Sequence, residues 1–150
     1  MYKHILVPTD GSKLSLKAAR EAAILARSLK ARITAVYVTE PYMPPLMSEG
    51  MTMNRSLSDD QASYKAATAK AADLALKKVA KEAAGAKVAF EAVATEGNQP
   101  WEGILKTAKQ KKCDVIVMAS HGRGSLAGAL LGSETTKVLS NSKTPVLVCR

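Results

Sequence analysis

The chain has 150 residues, of which 47% are hydrophobic and 23% charged. These values predict one domain with its own apolar core over residues 1–150 and exclude disordered and disulfide-dependent classes. Lysine and arginine outnumber the acids by 22 to 13, a net charge of +9. The lysines are spread over alanine-rich helical segments that also carry acids, and only 4% of the residues are aromatic. Nucleic acid is therefore a disfavoured partner.

Compartment can be predicted from the short apolar runs and the cysteines. The N-terminal run before Pro8 has three apolar residues, too few for a signal peptide, and no run approaches the about 20 residues of a membrane span. Cys113 and Cys149 lack metal-site or C-x-x-C spacing and accompany apolar runs, which favours free, buried thiols. We expect a cytoplasmic protein that does not contact membranes.

The first half of the chain predicts a strand, a helix and a second strand. Residues 5–7 form a short apolar run that ends at Pro8, and Ser12 is a candidate helix N-cap. A stripe at helical spacing follows, made of Ala18, Ala22, Leu25 and Leu29. Residues 33–38 are rich in β-branched side chains, as strands are.

Residues 39–57 interrupt this pattern with prolines and methionines. The methionines of this Met-rich segment are Met43, Met47, Met51 and Met53. Methionine repacks easily, so the segment is either an adaptable lid or partner surface, or an insertion folded over the edge of the domain. Ser58 and Gln61 match a capping box, which predicts a helix over 59–84 that ends at Gly85.

The second half continues the alternation. Residues 87–95 alternate apolar and polar side chains, as in an edge strand, and Pro100 opens a helix. Residues 115–119 are continuously apolar, as in a central strand, and 133–140 and 145–149 predict a short helix and a fifth strand. The whole pattern predicts an α/β fold: a parallel sheet with helices on both faces.

Ligands of such folds bind beyond the carboxyl ends of the strands. The first strand is followed by Pro8, Thr9, Asp10, Gly11 and Ser12, in front of a helix. Asp10 is suited to accept a hydrogen bond from a ribose hydroxyl or to help hold a cation. It is equally suited to cap the turn, and the sequence leaves both roles open.

The fourth strand is followed by glycines suited to phosphate binding. Gly122 and Gly124 come first, and Gly132 and Ser133 precede the next helix, whose N terminus favours anions. The alternative is a plain connecting turn. The spacing Gly122-x-Gly124-x-x-Ala127 also fits a dinucleotide motif, but the acidic residue expected about 20 positions later is missing, which disfavours an NAD enzyme.

Over its whole length the sequence resembles the universal stress protein family. HILVPTDGS is similar to the N-terminal strand and aspartate of that family, and VMASHGRGSLAGALLGSETTKVLSNSKTPVLV to its C-terminal signature. Members of the ATP-binding branch carry G-x-x-G, nine residues, and then G-S/T. Gly122, nine residues and Gly132-Ser133 match this motif, with Ala119 in place of its first glycine.

The resemblance implies a five-stranded sheet in the order 3-2-1-4-5, with ATP lying across the first and fourth strands. The main chain of Val38 would meet adenine, and Asp10 would meet the ribose or a magnesium-linked group, so Asp10 is the candidate metal ligand. The other implied nucleotide-binding residues are Pro8, Thr9, Ala119, Gly122, Arg123, Gly132, Ser133, Glu134 and Thr135.

The fifth strand predicts a partner. An apolar strand over Val146–Cys149 at a sheet edge is covered if it pairs with the same strand of a second copy, and the resemblance also implies a homodimer. We expect an ATP-binding stress-response regulator that acts through nucleotide occupancy, with slow ATP hydrolysis at most. No catalytic residue is assigned, since His121 is better suited to structural hydrogen bonds. The alternative is a nucleotide-free interaction or chaperone-like module that uses the Met-rich segment.

Overall fold

Strands and helices alternate along the chain as the sequence predicts. A computed structural model describes residues 1–44, 57–123 and 130–150. Its elements are β1 (His4–Pro8), α1 (Lys13–Leu29), β2 (Arg32–Thr39), α2 (Leu57–Gly85), β3 (Phe90–Glu96), α3 (Pro100–Gln110), β4 (Val115–Ala119), α4 (Ser133–Asn141) and β5 (Val146–Cys149). The described residues thus contain all five predicted strands and all four predicted helices.

The strands form one parallel sheet in the order β3-β2-β1-β4-β5, which confirms the predicted topology. β1 lies at its centre, where Ile5 pairs with Ile33 of β2 on one side and with Val115 of β4 on the other. The chain proceeds from β1 to β2 and β3, and then returns to the opposite side of β1 as β4. The direction of winding therefore reverses between β1 and β4, which is where ligands bind in folds of this kind.

Helices cover both faces of the sheet. α1 and α2 lie on one face, where Val79 of α2 joins the apolar cluster that contains Ile5. α3 and α4 lie on the other, where Ile104 and Val138 join the cluster that contains Leu6. Ile5 and Leu6 are consecutive residues of β1, point to opposite faces and are both 0% exposed. This two-sided burial explains the unbroken apolar run of a central parallel strand.

β3 lies at the sheet edge, as predicted, but begins later than predicted. Its first residue is Phe90 instead of residue 87. Lys87 adopts a left-handed conformation with φ 58°, and its amide donates to the Ala84 carbonyl at 3.0 Å. These residues form the turn after α2. Lysine is not a typical residue for such a turn. The alternation of apolar and polar residues therefore predicted a strand that included the turn.

The Met-rich segment and the start of α2 also differ from the prediction. β2 extends to Thr39, and residues 41–44 have no regular structure. Met43 is 81% exposed, whereas Met47, Met51 and Met53 lie outside the described residues. α2 begins at Leu57, so Ser58 is its second residue and the predicted N-cap position is wrong.

Both cysteines are free thiols, as predicted, but only one of them is buried. Cys113 is buried, and burial raises the pKa of its thiol to about 11. Cys149, the last residue of β5, is half-buried, which corrects the prediction, because β5 lies at the sheet edge. Among the described helices, none has the length and apolar character needed to cross a membrane.

His4 is a buried titratable residue at the start of β1. It is 4% exposed, and its Nε2 lies 2.7 Å from the Thr34 hydroxyl oxygen. Burial lowers the pKa of His4 and the charge of Arg32 lowers it further, against smaller opposing effects of Asp114 and Glu91. The folded protein therefore favours the neutral imidazole.

We expect the free energy of unfolding to fall as the pH drops below 6.5, the ordinary pKa of this side chain. The unfolded chain then binds a proton that the folded chain resists, so stability is greatest above that pH and is lost below it. Urea unfolding between about pH 7 and 5 measures the slope. His4→Gln retains a polar partner for Thr34 and should flatten it. An unchanged slope in this variant would assign the dependence to other groups.

Candidate functional site

A cleft of about 400 Å³ lies at the carboxyl ends of β1, β2 and β4. The first turns of α3 and α4 close one side of it. All eleven residues implied by the family resemblance line this cleft: Pro8, Thr9, Asp10, Val38, Ala119, Gly122, Arg123, Gly132, Ser133, Glu134 and Thr135. The fold thus brings residues of four separate chain segments to one place.

Asp10 joins the loop after β1 to the loop after β4. Its Oδ1 accepts from the Ser12 amide at 2.9 Å, and its Oδ2 accepts from the Arg123 amide at 2.7 Å. Burial by itself would raise the pKa of Asp10, but the hydrogen bonds from Ser12 and Arg123 outweigh it and the pKa is lowered. The carboxylate is therefore ionised at neutral pH. Asp10 forms the predicted turn and also lines the cleft, so capping the turn does not remove it from the cleft.

Gly122 is required because Asp10 approaches it closely. A Cβ at residue 122 would lie 2.7 Å from Oδ2 of Asp10, well inside van der Waals contact. Any side chain here would push the carboxylate away from the Arg123 amide. This glycine is explained by space, since its φ does not lie in the left-handed region.

The first turn of α4 provides hydrogen-bond donors at the cleft. Its first intrahelical hydrogen bond runs from the Thr136 amide to the Gly132 carbonyl at 3.0 Å. The amides of Ser133, Glu134 and Thr135 precede it, at positions where a helix leaves its donors without an intrahelical acceptor. Together with the helix dipole, they favour an anion at this end of the cleft.

Other polar groups of this region are engaged within the fold. The Gly132 amide donates to the Ser120 carbonyl at 2.7 Å, so it is already used. The hydroxyl of Thr135 donates to the Ala119 carbonyl at 3.0 Å and is buried. These two residues hold α4 against the end of β4. Gly132 and Thr135 therefore position the start of α4 at the cleft. Thr135 also provides its amide as a hydrogen-bond donor there.

Val38 presents its main chain to the cleft. The Val36 carbonyl accepts from the Thr9 amide at 2.9 Å, whereas the Thr39 carbonyl accepts from Gly97 on the opposite side. Main-chain groups alternate in direction along a strand, so Val38 points the same way as Val36, toward β1. β1 ends at Pro8, which pairs with Val36, two residues before Val38. The amide and carbonyl of Val38 thus extend into the opening beyond β1.

Ala119 and Arg123 differ in how they meet the cleft. Ala119 is the last residue of β4, pairs with Cys149 and is 7% exposed. The left-handed non-glycine residues among those described are Lys30, Lys87 and Lys112. The backbone of residue 119 is therefore not left-handed, and alanine can adopt it at the position where the family motif has its first glycine. The Arg123 guanidinium extends over Gly11, where Nη2 would lie 3.0 Å from an added Cβ.

The whole chain, residues 1–150, matches the model of the universal stress protein family. It is 35% identical to universal stress protein MJ0531 of Methanocaldococcus jannaschii, over 100% of this chain and 83% of that protein. The chain belongs to the universal stress protein family. The sequence resemblance is thereby confirmed at the level of the family.

Solved structures of this family share the fold. The structure of MJ0577, also from Methanocaldococcus jannaschii, has a TM-score of 0.77 and 27% identity, covering 99% of this chain and 95% of that one. A universal stress protein in complex with cAMP has a TM-score of 0.67 and 25% identity, covering 99% and 97%. Both alignments cover 99% of this chain, so they include the segments that line the cleft.

Several residues that line the cleft were not predicted. They are Ser15, Val36, Tyr37, Glu40, Pro100, Ile104, Met118 and His121. Glu40 follows β2 directly, so the rule of strand ends would have found it. Pro100 and Ile104 belong to the wall formed by α3, which no local motif indicates. His121 was considered only as a candidate for catalysis, and its Nδ1 lies 3.0 Å from the Ser120 hydroxyl oxygen.

Proposed function

We propose that this protein binds ATP in the cleft and acts as a stress-response regulator through nucleotide occupancy. The observation that carries the proposal is that one cleft has main-chain groups of a strand that are not paired with β1 at one end and the start of a helix at the other. At one end the main chain of Val38 is free of β1, and at the other the first turn of α4 presents amides. A purine edge suits the first end and a polyphosphate the second.

The comparison with a relative supports an adenine nucleotide. The structure of a universal stress protein with cAMP covers nearly all of this chain at 25% identity. Ile104 and Met118 line the same cleft and provide apolar surface suited to a base. The phosphate end lies beside Ser133, whose hydroxyl and amide are both donors.

Magnesium fits this site as an ion that arrives with the nucleotide. Among residues 1–44, 57–123 and 130–150, no group of three potential ligand side chains surrounds a common point. Mg²⁺ is usually held by one or two carboxylates together with substrate phosphates and waters. Asp10 is an ionised carboxylate whose oxygens retain lone pairs beyond the two amide hydrogen bonds. It would bind the metal directly or through a water and so help to neutralise the phosphates.

The protein is proposed to work as a cytoplasmic homodimer that pairs through β5. β5 lies at the sheet edge opposite β3, and Leu147 is 47% exposed. Pro145 accepts from the amide of Ile116 in β4 and Cys149 from that of Ser120 directly after it, so the main-chain groups of Val146 and Val148 face away from the sheet. The same strand of a second copy would form hydrogen bonds with these main-chain groups, and its own groups would be paired in the same way.

Calorimetric titration with ATP tests the proposed function. We expect saturable binding, tighter with Mg²⁺ than with EDTA because the metal neutralises the phosphates beside Asp10. Mass spectrometry of gently purified protein should detect bound ATP. Folded protein that gives no heat at about millimolar nucleotide would exclude the proposal and favour a nucleotide-free interaction module.

A further inference from the structure

The first turn of α3 is held by a side chain from α4. The residue before α3, Gln99, makes no side-chain capping hydrogen bond. The amide of Trp101, one of the donors that a helix start leaves without an intrahelical acceptor, donates instead to Oε2 of Glu134 at 2.8 Å. Glu134 lies 33 positions later in the chain. One carboxylate thus joins the starts of the two helices that form this wall of the cleft.

Two further side chains close a ring around this contact. Lys137, one turn after Glu134, donates to its Oε1 at 3.1 Å and to Oε1 of Gln99 at 2.8 Å. The Gln99 oxygen also accepts from the indole Nε1 of Trp101 at 2.9 Å. We call Gln99, Trp101, Glu134 and Lys137 the α3–α4 clamp. Each of its members contacts two others, so the relative position of the helix starts is fixed by several hydrogen bonds at once.

The clamp lies directly beside the cleft. Pro100, between Gln99 and Trp101 in the chain, and Ile104, one turn later in α3, line the apolar part of the cleft. Ser133 and Thr135, on either side of Glu134, line the part proposed for the phosphates. The charge of Glu134 therefore lies next to the proposed phosphates. Its two carboxylate oxygens, however, accept hydrogen bonds from Trp101 and Lys137. The ammonium of Lys137 offsets that charge.

We propose that Glu134 is a positioning residue whose carboxylate sets the spacing of α3 and α4 and whose charge, offset by Lys137, limits the affinity of the cleft for phosphates. This inference rests on the proposed function for its ligand. It assigns Glu134 two opposing effects. Its hydrogen bond to Trp101 aligns the donors of α4, which favours binding, whereas its negative charge opposes an anion at the same helix start.

Three variants separate these effects. Glu134→Gln keeps an oxygen acceptor for the Trp101 amide and removes the charge, so ATP affinity should rise about two- to fivefold. Glu134→Ala removes both, and the loss of alignment should lower ATP affinity by a similar factor or more. Lys137→Met leaves the charge of Glu134 unopposed and should also lower ATP affinity. Adenosine has no phosphates, so its affinity should change less than that of ATP in the Gln and Met variants.

Two matched controls remove equal charges outside the clamp. Glu102→Gln neutralises an exposed carboxylate in the first turn of α3, and Lys109→Met removes an exposed ammonium later in the same helix. We expect both to leave ATP affinity within about twofold, because surface charges act weakly beyond their contacts. If Glu102→Gln raises ATP affinity as much as Glu134→Gln, the effect is general charge and the inference is wrong.

The clamp can also be measured without nucleotide. Trp101 is the one tryptophan of the chain, so its fluorescence reports this contact alone, and the exchange rate of its amide reports the bond to Glu134. Exchange should be slow in the native protein and in Glu134→Gln but fast in Glu134→Ala. If all three exchange alike, the clamp is absent. If the clamp is present and no nucleotide binds, the proposed function fails separately.

Discussion

Replacing Gly122 with alanine is expected to lower the affinity for ATP about 10- to 100-fold while the protein remains folded. The new Cβ would lie 2.7 Å from Oδ2 of Asp10, an oxygen fixed by the Arg123 amide at 2.7 Å. Asp10 has a short side chain, so it moves only by giving up that hydrogen bond. A hydrogen bond to a charged group contributes about 1.5–3 kcal/mol, which corresponds to the stated loss of affinity. Calorimetry with ATP and Mg²⁺ measures it.

A double-mutant cycle identifies the cause. Asp10→Ala should itself weaken ATP binding, because it removes the carboxylate and leaves the Ser12 and Arg123 amides without their acceptor. If the clash with Asp10 explains the effect of Gly122→Ala, the second substitution should cost little in the Asp10→Ala background. Full additivity of the two losses would show that Gly122 acts by another route, and circular dichroism confirms that each variant is folded.

The sequence predicted the sheet well because its signals there are local. Residues 5–7 of β1 and the whole of β4 are continuous apolar runs, and both strands are buried on two sides, so pattern and environment agree. The start of β3 was predicted too early because Lys87 lies in a left-handed turn, and lysine does not indicate such a turn. The order of the strands came from the family resemblance, since alternation alone leaves several parallel orders open.

The candidate site was predictable where residues directly follow strands. Asp10 follows β1, and Gly122 follows β4, so the rule of strand ends found both. What distinguishes their roles is a tertiary contact: the carboxylate of Asp10 accepts from Arg123, 113 positions away. The role of Glu134 was hidden for the same reason. Its neighbours in sequence indicate a helix start at the cleft, but its oxygens contact Trp101 and Lys137.

The wall formed by α3 depends on a close contact between Gly103 and Val38 that no sequence motif indicates. Gly103 lies in the interior of α3, where glycine costs about 1 kcal/mol relative to alanine. Helix propensity alone therefore gives no reason for it. The structure does, because a Cβ at residue 103 would lie 2.7 Å from both Cγ atoms of Val38 and 3.3 Å from its Cβ. Glycine lets α3 approach the strand at the residue whose main chain is proposed to meet the base.

Gly103→Ala is therefore expected to destabilise the protein by about 1–2 kcal/mol, although alanine is the better helix former. Overpacking a tight interface costs about 1–3 kcal/mol, which exceeds the gain of up to about 1 kcal/mol from helix propensity. The displaced Val38 should also weaken adenosine binding. Urea unfolding measures the first effect and calorimetry the second. A variant at least as stable as the native protein would show that β2 and α3 can separate without cost.

Gly85→Ala is the matched control for this substitution. Gly85 is the last residue of α2, and an added Cβ there would meet no atom within 4 Å. It should leave stability unchanged or slightly raised, because only propensity acts. Val38→Ala in the Gly103→Ala background removes both atoms of the clash and should recover part of the lost stability. If it recovers none, the strain lies elsewhere along α3, and the close approach of Gly103 to Val38 does not set the position of this wall.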